Sequence, residues 1–236
     1  MKTRKAFIAL LALLFLTTLS TGCATTYTPT EFTPPVKAKV FDERPPAEGL
    51  TIKDAIKYEG GYIRESIGIM TEEDKTAARG VTIVVYHSND VTHFNDTYGW
   101  VVVGHYHRDT KEVCLRANYL DRETIWHEIC HAYHDTLPEK FDEEWLDAAD
   151  DVYGKDYEKV KFPVHGLLKK YASVSYVEDV ATWVEEAYSC VCGLGHNLGR
   201  VDRSDPVYLK KLDLLLKWKF INEEDYMLIK PIISKK

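Results

Sequence analysis

The chain has 236 residues, 45% of them hydrophobic and 12% aromatic. That is enough for one good core and a small appendage, with the composition of an ordinary globular protein rather than a disordered or fibrous one. Lys and Arg number 30 against 37 Asp and Glu, a net charge of −7, which disfavours nucleic acid as a partner.

Residues 1–22 read as a leader. Lys2, Arg4 and Lys5 precede the apolar run AFIALLALLFL, which is too short for a membrane span. The segment closes with small Thr21 and Gly22 directly before Cys23, and Leu19 sits one place further from the cysteine than is commonest. This resembles a bacterial lipoprotein signal. The resemblance implies cleavage before Cys23, lipid on its thiol and new amino group, and stable anchoring to a membrane outside the cytoplasm. Uncharged Ala24 fits the outer membrane if the host has two. The alternative is an ordinary signal peptide cleaved nearby, with Cys23 free. Without the leader, 27 basic residues face 37 acidic ones, a net charge of −10.

Residues 23–49 contain five prolines and no apolar periodicity, which predicts an extended tether of about 3.1 Å per residue. A single domain is expected over 50–236. Within it, TEEDKTAARG from Thr71 reads as a capped helix ending in glycine, and VTIVVYHS at 81–88 as a buried strand. YGWVVVGHYHR and EVCLRANYL read as a hairpin joined by the polar turn RDTK, and the helix TIWHEICHAYHD at 124–135 follows directly. Further helices are predicted near 142–152, 156–171, 176–192, 206–219 and 222–229. Strands first and helices after indicate an α+β fold.

Beyond Cys23 the cysteines are Cys114, Cys130, Cys190 and Cys192. An oxidising compartment permits disulfides, and four cysteines allow three pairings that sequence does not choose between. The CVC pair has no second pair at zinc-finger spacing, so all four read as buried or disulfide-bonded rather than metal-bound. His105 and His107 alternate along a strand and share one face. That face reads as solvated, with the wall of a cleft or a second ion as alternatives.

The chemistry concentrates in His127-Glu128-Ile129-Cys130-His131. Histidines four apart leave a helix from one face and can reach a single zinc ion at about 2.0 Å. Glu128, one residue after the first of them, is placed to contact a metal-bound water without ligating the metal, the position of a general base. The HExxH pattern alone turns up by chance in about one chain of this size in a hundred, so context decides. Ile125, Trp126, Ile129, Cys130 and Tyr133 give the helix an apolar side, and Asp121 or Thr124 can cap its start. The outer strand of the preceding hairpin suits pairing with an extended peptide.

A catalytic zinc needs a third protein ligand and an open position. HAYHDTLPEK has no glycine after the second histidine, which disfavours the metzincin pattern. His134 shares the face of His127 but lies about 10 Å along the axis, a surface residue or one that touches a ligand from behind; Asp135 is a weaker candidate of the same kind. Ser175 to Glu178 matches a capping box, in which Glu178 would only bond the backbone.

Downstream, YASVSYVEDVATWVEEAY at 171–188 resembles the gluzincin metallopeptidases, most closely the pattern of the anthrax lethal factor catalytic domain. In that pattern a tyrosine and, seven positions on, a ligand glutamate head a helix with an acidic-aromatic-alanine run. Tyr171 and Glu178 hold that spacing. The resemblance covers roughly residues 80–192 and leaves the last helices unexplained. It implies a zincin-like domain: a small sheet with an edge hairpin, an active-site helix and a mostly helical second half. It implies one zinc per chain on His127, His131 and Glu178, Glu128 as base, and Tyr171 as the hydroxyl supporting the oxyanion. Thr182 stands where the family usually has an acid, so the carboxylate behind the ligands must come from Asp179, Glu185 or Glu186. Glu185, two turns after Glu178, is also the reserve third ligand. The expected function is a membrane-tethered zinc peptidase acting on peptide or protein substrates. The alternatives are a non-catalytic binding lipoprotein on the same fold and a zinc amidase acting on cell-wall peptides.

Overall fold

A computed structural model describes residues 36–39, 52–86, 103–149, 152–154 and 164–234. The leader and Cys23 lie outside the described residues. The described residues all fall within one compact unit, Phe32–Lys236.

The architecture is α+β. Strands β1 (Val36–Lys39), β2 (Thr82–Tyr86), β3 (Gly104–His107) and β4 (Glu112–Arg116) form one sheet in the order β1-β2-β4-β3. β1 and β4 both run parallel to β2, while β3 closes the edge antiparallel to β4. β2 is buried on both faces because its β-branched residues pack each way. Ile83 and Val85 join the main core with Val113 and Leu115, and Val84 and Tyr86 pack with Cys114 on the other face. Residues 36–39 differ from the tether expected there: they pair with Ile83 to Tyr86 along β2. An extended Pro-flanked stretch already has nearly the dihedrals of a strand and needs only a partner edge.

Helix α1 (Ile52–Gly68) precedes the predicted elements, and adjacent Gly60 and Gly61 obscure it in the sequence. α2 (Glu72–Arg79) starts where Thr71 Oγ1 accepts from the Asp74 amide and ends at Gly80. α3 (Arg122–His134) carries the histidines and is capped by Asp121, whose Oδ1 accepts from Thr124 N at 2.7 Å. α4 (Glu139–Ala149), α5 (Tyr176–Val191), α6 (Pro206–Lys217) and α7 (Glu223–Ile233) complete the helical half. The helix expected over 156–171 does not form from 164 onward. Residues there make turns and then a short 3-10 turn at Tyr171–Ser173. Gly166 explains the break: its φ is +72°, and a Cβ there would lie 2.6 Å from Val207 Cγ1.

α3 runs through the middle of the core. Ile125, Trp126, Ile129 and Cys130 are fully buried, in one cluster with Val180, Ala181 and Val184 of α5. Trp126 Nε1 donates to Ser66 O at 2.9 Å, and Tyr133 Oη donates to Trp218 O at 2.9 Å, fixing the helix to α1 and to the end of α6. Trp145 and Trp183 are core residues. No helix among the described residues is long and apolar enough to cross a membrane.

Candidate metal centre

The helical spacing of His127 and His131 brings their rings to 4.8 Å between centroids on one face of α3. Opposite them stands the first turn of α5. Ser175 caps that helix by accepting from the Glu178 amide at 3.3 Å, which fixes where Glu178 leaves the turn. Only this half of the capping-box expectation describes Glu178: its carboxylate reaches the histidines. Glu178 Oε2 lies 2.9 Å from His127 Nε2 and 3.5 Å from His131 Nε2. One donor atom from each of the three residues lies within 4.8 Å of the other two. Two imidazole nitrogens and one carboxylate oxygen, with a side open to a cleft, match the donor set of a catalytic zinc.

The second carboxylate of α5 sits behind the first histidine. Glu185 Oε2 is 3.2 Å from His127 Nδ1, so the imidazole bridges two carboxylates through its two nitrogens. Glu185 therefore stands on the side of the His127 ring away from Glu178, where it can orient the imidazole. Lys169 holds Glu185 in turn and also reaches Glu186 at 3.1 Å. Glu186 is further tied up by Asn197 at 2.8 Å. Asp179 faces away, accepting from Trp145 Nε1 at 2.9 Å, Tyr153 Oη at 2.7 Å and Lys211 Nζ at 2.6 Å. Thr182 Oγ1 is buried, with no hydrogen-bond partner among the described residues.

Charge in this cluster is arranged to hold a cation. Burial works against a charged His127, but its hydrogen bonds to Glu178 and Glu185 more than reverse that and push its pKa up to about 10. Burial also raises Glu178, yet the bonds to His127 and His131 pull it far below the usual carboxylate range. Burial lowers His131, offset in part by Glu178. The two carboxylates thus favour positive charge at His127. Burial pushes Glu128 up to about 8, and its Oε2 is buried without a hydrogen-bond partner among the described residues. Tyr171 is raised by burial first and then by the charges of Glu178 and Glu128; its ring centroid is 6.1 Å from that of His127.

A cleft passes across these groups in two lobes of about 270 Å³ each. Gly104 of β3, Glu128 and Tyr171 line both lobes. His127 faces the lobe with Asp121, Glu123 and Lys169; His131 and Glu178 face the lobe with Arg108 and His134. Gly104 approaches so closely that a Cβ there would lie 2.9 Å from Glu128 Cγ and Oε1.

Other expectations fall differently. His134 is not a surface residue: it is buried, 2.6 Å from Asp142 Oδ1, with its ring edge-on to Phe141. Asp135 holds the β3–β4 turn through Arg108 Nε at 2.6 Å and Lys111. Cys114, Cys130, Cys190 and Cys192 form no disulfide with one another, and Cys114 Sγ lies 3.9 Å from Tyr86 Oη. Lys169 and Gly104 carry no sequence signal, since a lysine in LLKK and a glycine in a strand are common and only the fold puts them at the site. Comparison with protein families, with curated proteins and with solved structures finds no match.

Proposed function

We propose that the chain is a zinc metallopeptidase of the gluzincin type on a zincin-like fold, tethered outside the cytoplasm through a lipid on Cys23. One observation carries the catalytic part: His127, His131 and Glu178 converge in an open cleft beside a buried Glu128 carboxylate oxygen that has no hydrogen-bond partner among the described residues. The donor set fits zinc, and bound there the ion would supply Lewis acidity to a scissile carbonyl and to a water. Glu128, buried beside the histidines and against Gly104, would be the group that accepts the proton of a water there and returns it to the leaving amine. Tyr171 stays protonated because burial and the neighbouring carboxylates oppose its ionisation, so its hydroxyl is the donor available to an oxyanion. Glu185 keeps the Nδ1 proton on His127, leaving Nε2 as the ligand atom. Among the described residues β3 is the edge strand of the sheet, a position that suits an extended peptide laid beside Gly104.

The test is zinc content together with turnover of a peptide library. His131→Ala and Glu178→Ala are each expected to lose one equivalent of zinc per chain, and Glu128→Gln to keep it while losing hydrolysis. Full activity in Glu128→Gln would sink the assignment. Zinc at this site without cleavage of any peptide would instead favour the binding lipoprotein, and cleavage confined to cell-wall peptides the amidase.

A further inference from the structure

The second group of metal-ligating side chains lies on the other face of the same hairpin. In β3, Gly104 faces Glu128 and Thr124 of α3, and Tyr106 sends its hydroxyl to Asp135 at the end of that helix. His105 and His107 alternate with them and so face the other way. The register pairs His105 with Cys114 and His107 with Glu112. Cys114 belongs to the small cluster with Val84 and Tyr86, not to the main core. The His105 and His107 Nε2 atoms are 2.6 Å apart, and the Cys114 sulfur completes a set whose donor atoms all lie within 4.8 Å of one another.

We propose that His105, His107 and Cys114 form a second metal site, taking a borderline-soft divalent ion of the zinc class. Two imidazoles and a thiolate select such an ion over magnesium or calcium. Bonds of about 2.0–2.1 Å to nitrogen and 2.3 Å to sulfur fit three donors at this spacing after a small outward swing of the imidazoles. His107 is exposed and His105 half-buried, so the swing falls chiefly to the His107 ring, away from the core. Cys114 is only 1% exposed, so the ion would rest on the sheet with the sulfur beneath it. The thiol loses its proton to solvent as the ion binds. The bound ion would clamp β3 to β4 directly behind the glycine that meets Glu128. A proton shared between the two rings explains their close contact alone and gives the thiol no part.

This inference does not rest on the peptidase reading, because the donors at His127, His131 and Glu178 include no sulfur. The metal-free full chain is titrated with Co²⁺ while the thiolate-to-cobalt charge-transfer absorbance is followed. The band is expected to saturate by two equivalents in the parent, where the His127 site also takes cobalt, and at one in His131→Ala; it is expected to vanish in Cys114→Ser and to need at least ten times more cobalt in His107→Ala. His107→Ala removes an exposed ring and decides the matter should Cys114→Ser fail to fold. No thiolate band in the parent chain, a band surviving in folded Cys114→Ser, or an unchanged titration in His107→Ala would overturn the proposal.

Discussion

Replacing Gly104 with alanine tests whether the edge strand sets the position of Glu128. The added methyl would lie 2.9 Å from Glu128 Cγ and Oε1 and 2.9 Å from Thr124 Cγ2. Contacts between such atoms settle at about 3.5 Å or more, so strand and helix, or the two side chains, must separate by roughly half an ångström. Glu128 and Thr124 are both buried on a helix whose opposite side is locked in the core, so neither has free room. Overpacking of this kind costs about 1–3 kcal/mol of stability. Misplacing a catalytic group by up to an ångström lowers turnover on the order of tenfold to hundredfold. Gly104→Ala should therefore reduce kcat by that factor on any peptide the parent cleaves, with zinc retained, and should lower the urea midpoint. Kinetics, metal content and urea unfolding on one preparation check all three. An alanine variant with parental kcat and stability would refute the reasoning, because the strand would then yield without moving Glu128. Lost zinc would show that the displacement reaches the histidines instead.

Glu185→Gln replaces the charged partner of His127 Nδ1 with a neutral one and should weaken zinc binding about 10–100-fold, read by competition with a chelator; parental affinity would mean that Glu185 orients nothing. Lys211→Met leaves Asp179 without its cation in a fully buried pair and should lower stability by about 3–5 kcal/mol; a loss near zero in urea unfolding would contradict the pairing. Burial raises Asp74 to about 7 from an ordinary 3.8. Between those values the folded state holds a proton that the unfolded state releases, so this group makes stability fall as pH rises from about 4 to 7. Asp74→Asn should remove that part of the slope, measured as the difference in urea midpoint between pH 5 and pH 7 in variant and parent; identical slopes would place the Asp74 titration elsewhere.

The parts legible in sequence are those fixed by local rules. Thr71 and Asp121 cap helices because a side-chain oxygen can satisfy a free amide three residues on, and the spacing of His127 and His131 puts their rings on one face wherever the helix sits. The α+β class and the β3–β4 hairpin were equally local. What could not be read depends on the fold as a whole. β1 looks like linker until β2 offers an edge, and Gly166 stops a helical pattern because α6 passes against it. His134 reads as surface by position, yet it is buried against Phe141 because α4 folds back over it. By sequence, three carboxylates are equal candidates to stand behind the histidines. α5 distinguishes them by direction, turning Glu185 to His127, Glu186 to Asn197 and Asp179 to Lys211.

Strand β3 joins these features, because it is fixed to α3 at both ends. Gly104 bears on Glu128 near the middle of the helix, and Tyr106 donates to Asp135 at its C-terminal cap at 3.0 Å. Arg108 and Lys111 of the turn converge on that same carboxylate. They are 71% and 52% exposed, so solvent screens both pairs and they add little stability; what they supply is register. A peptide pairing with the outer edge of β3 would thereby lie at a fixed height over Glu128, and a clamp at His105, His107 and Cys114 would stiffen the same strand from behind. An HExxH pattern without such a strand is compatible with a helix merely rich in histidine. Glycine at position 104 leaves room there, since any larger residue at that point of the cleft wall would crowd the carboxylate proposed as the base.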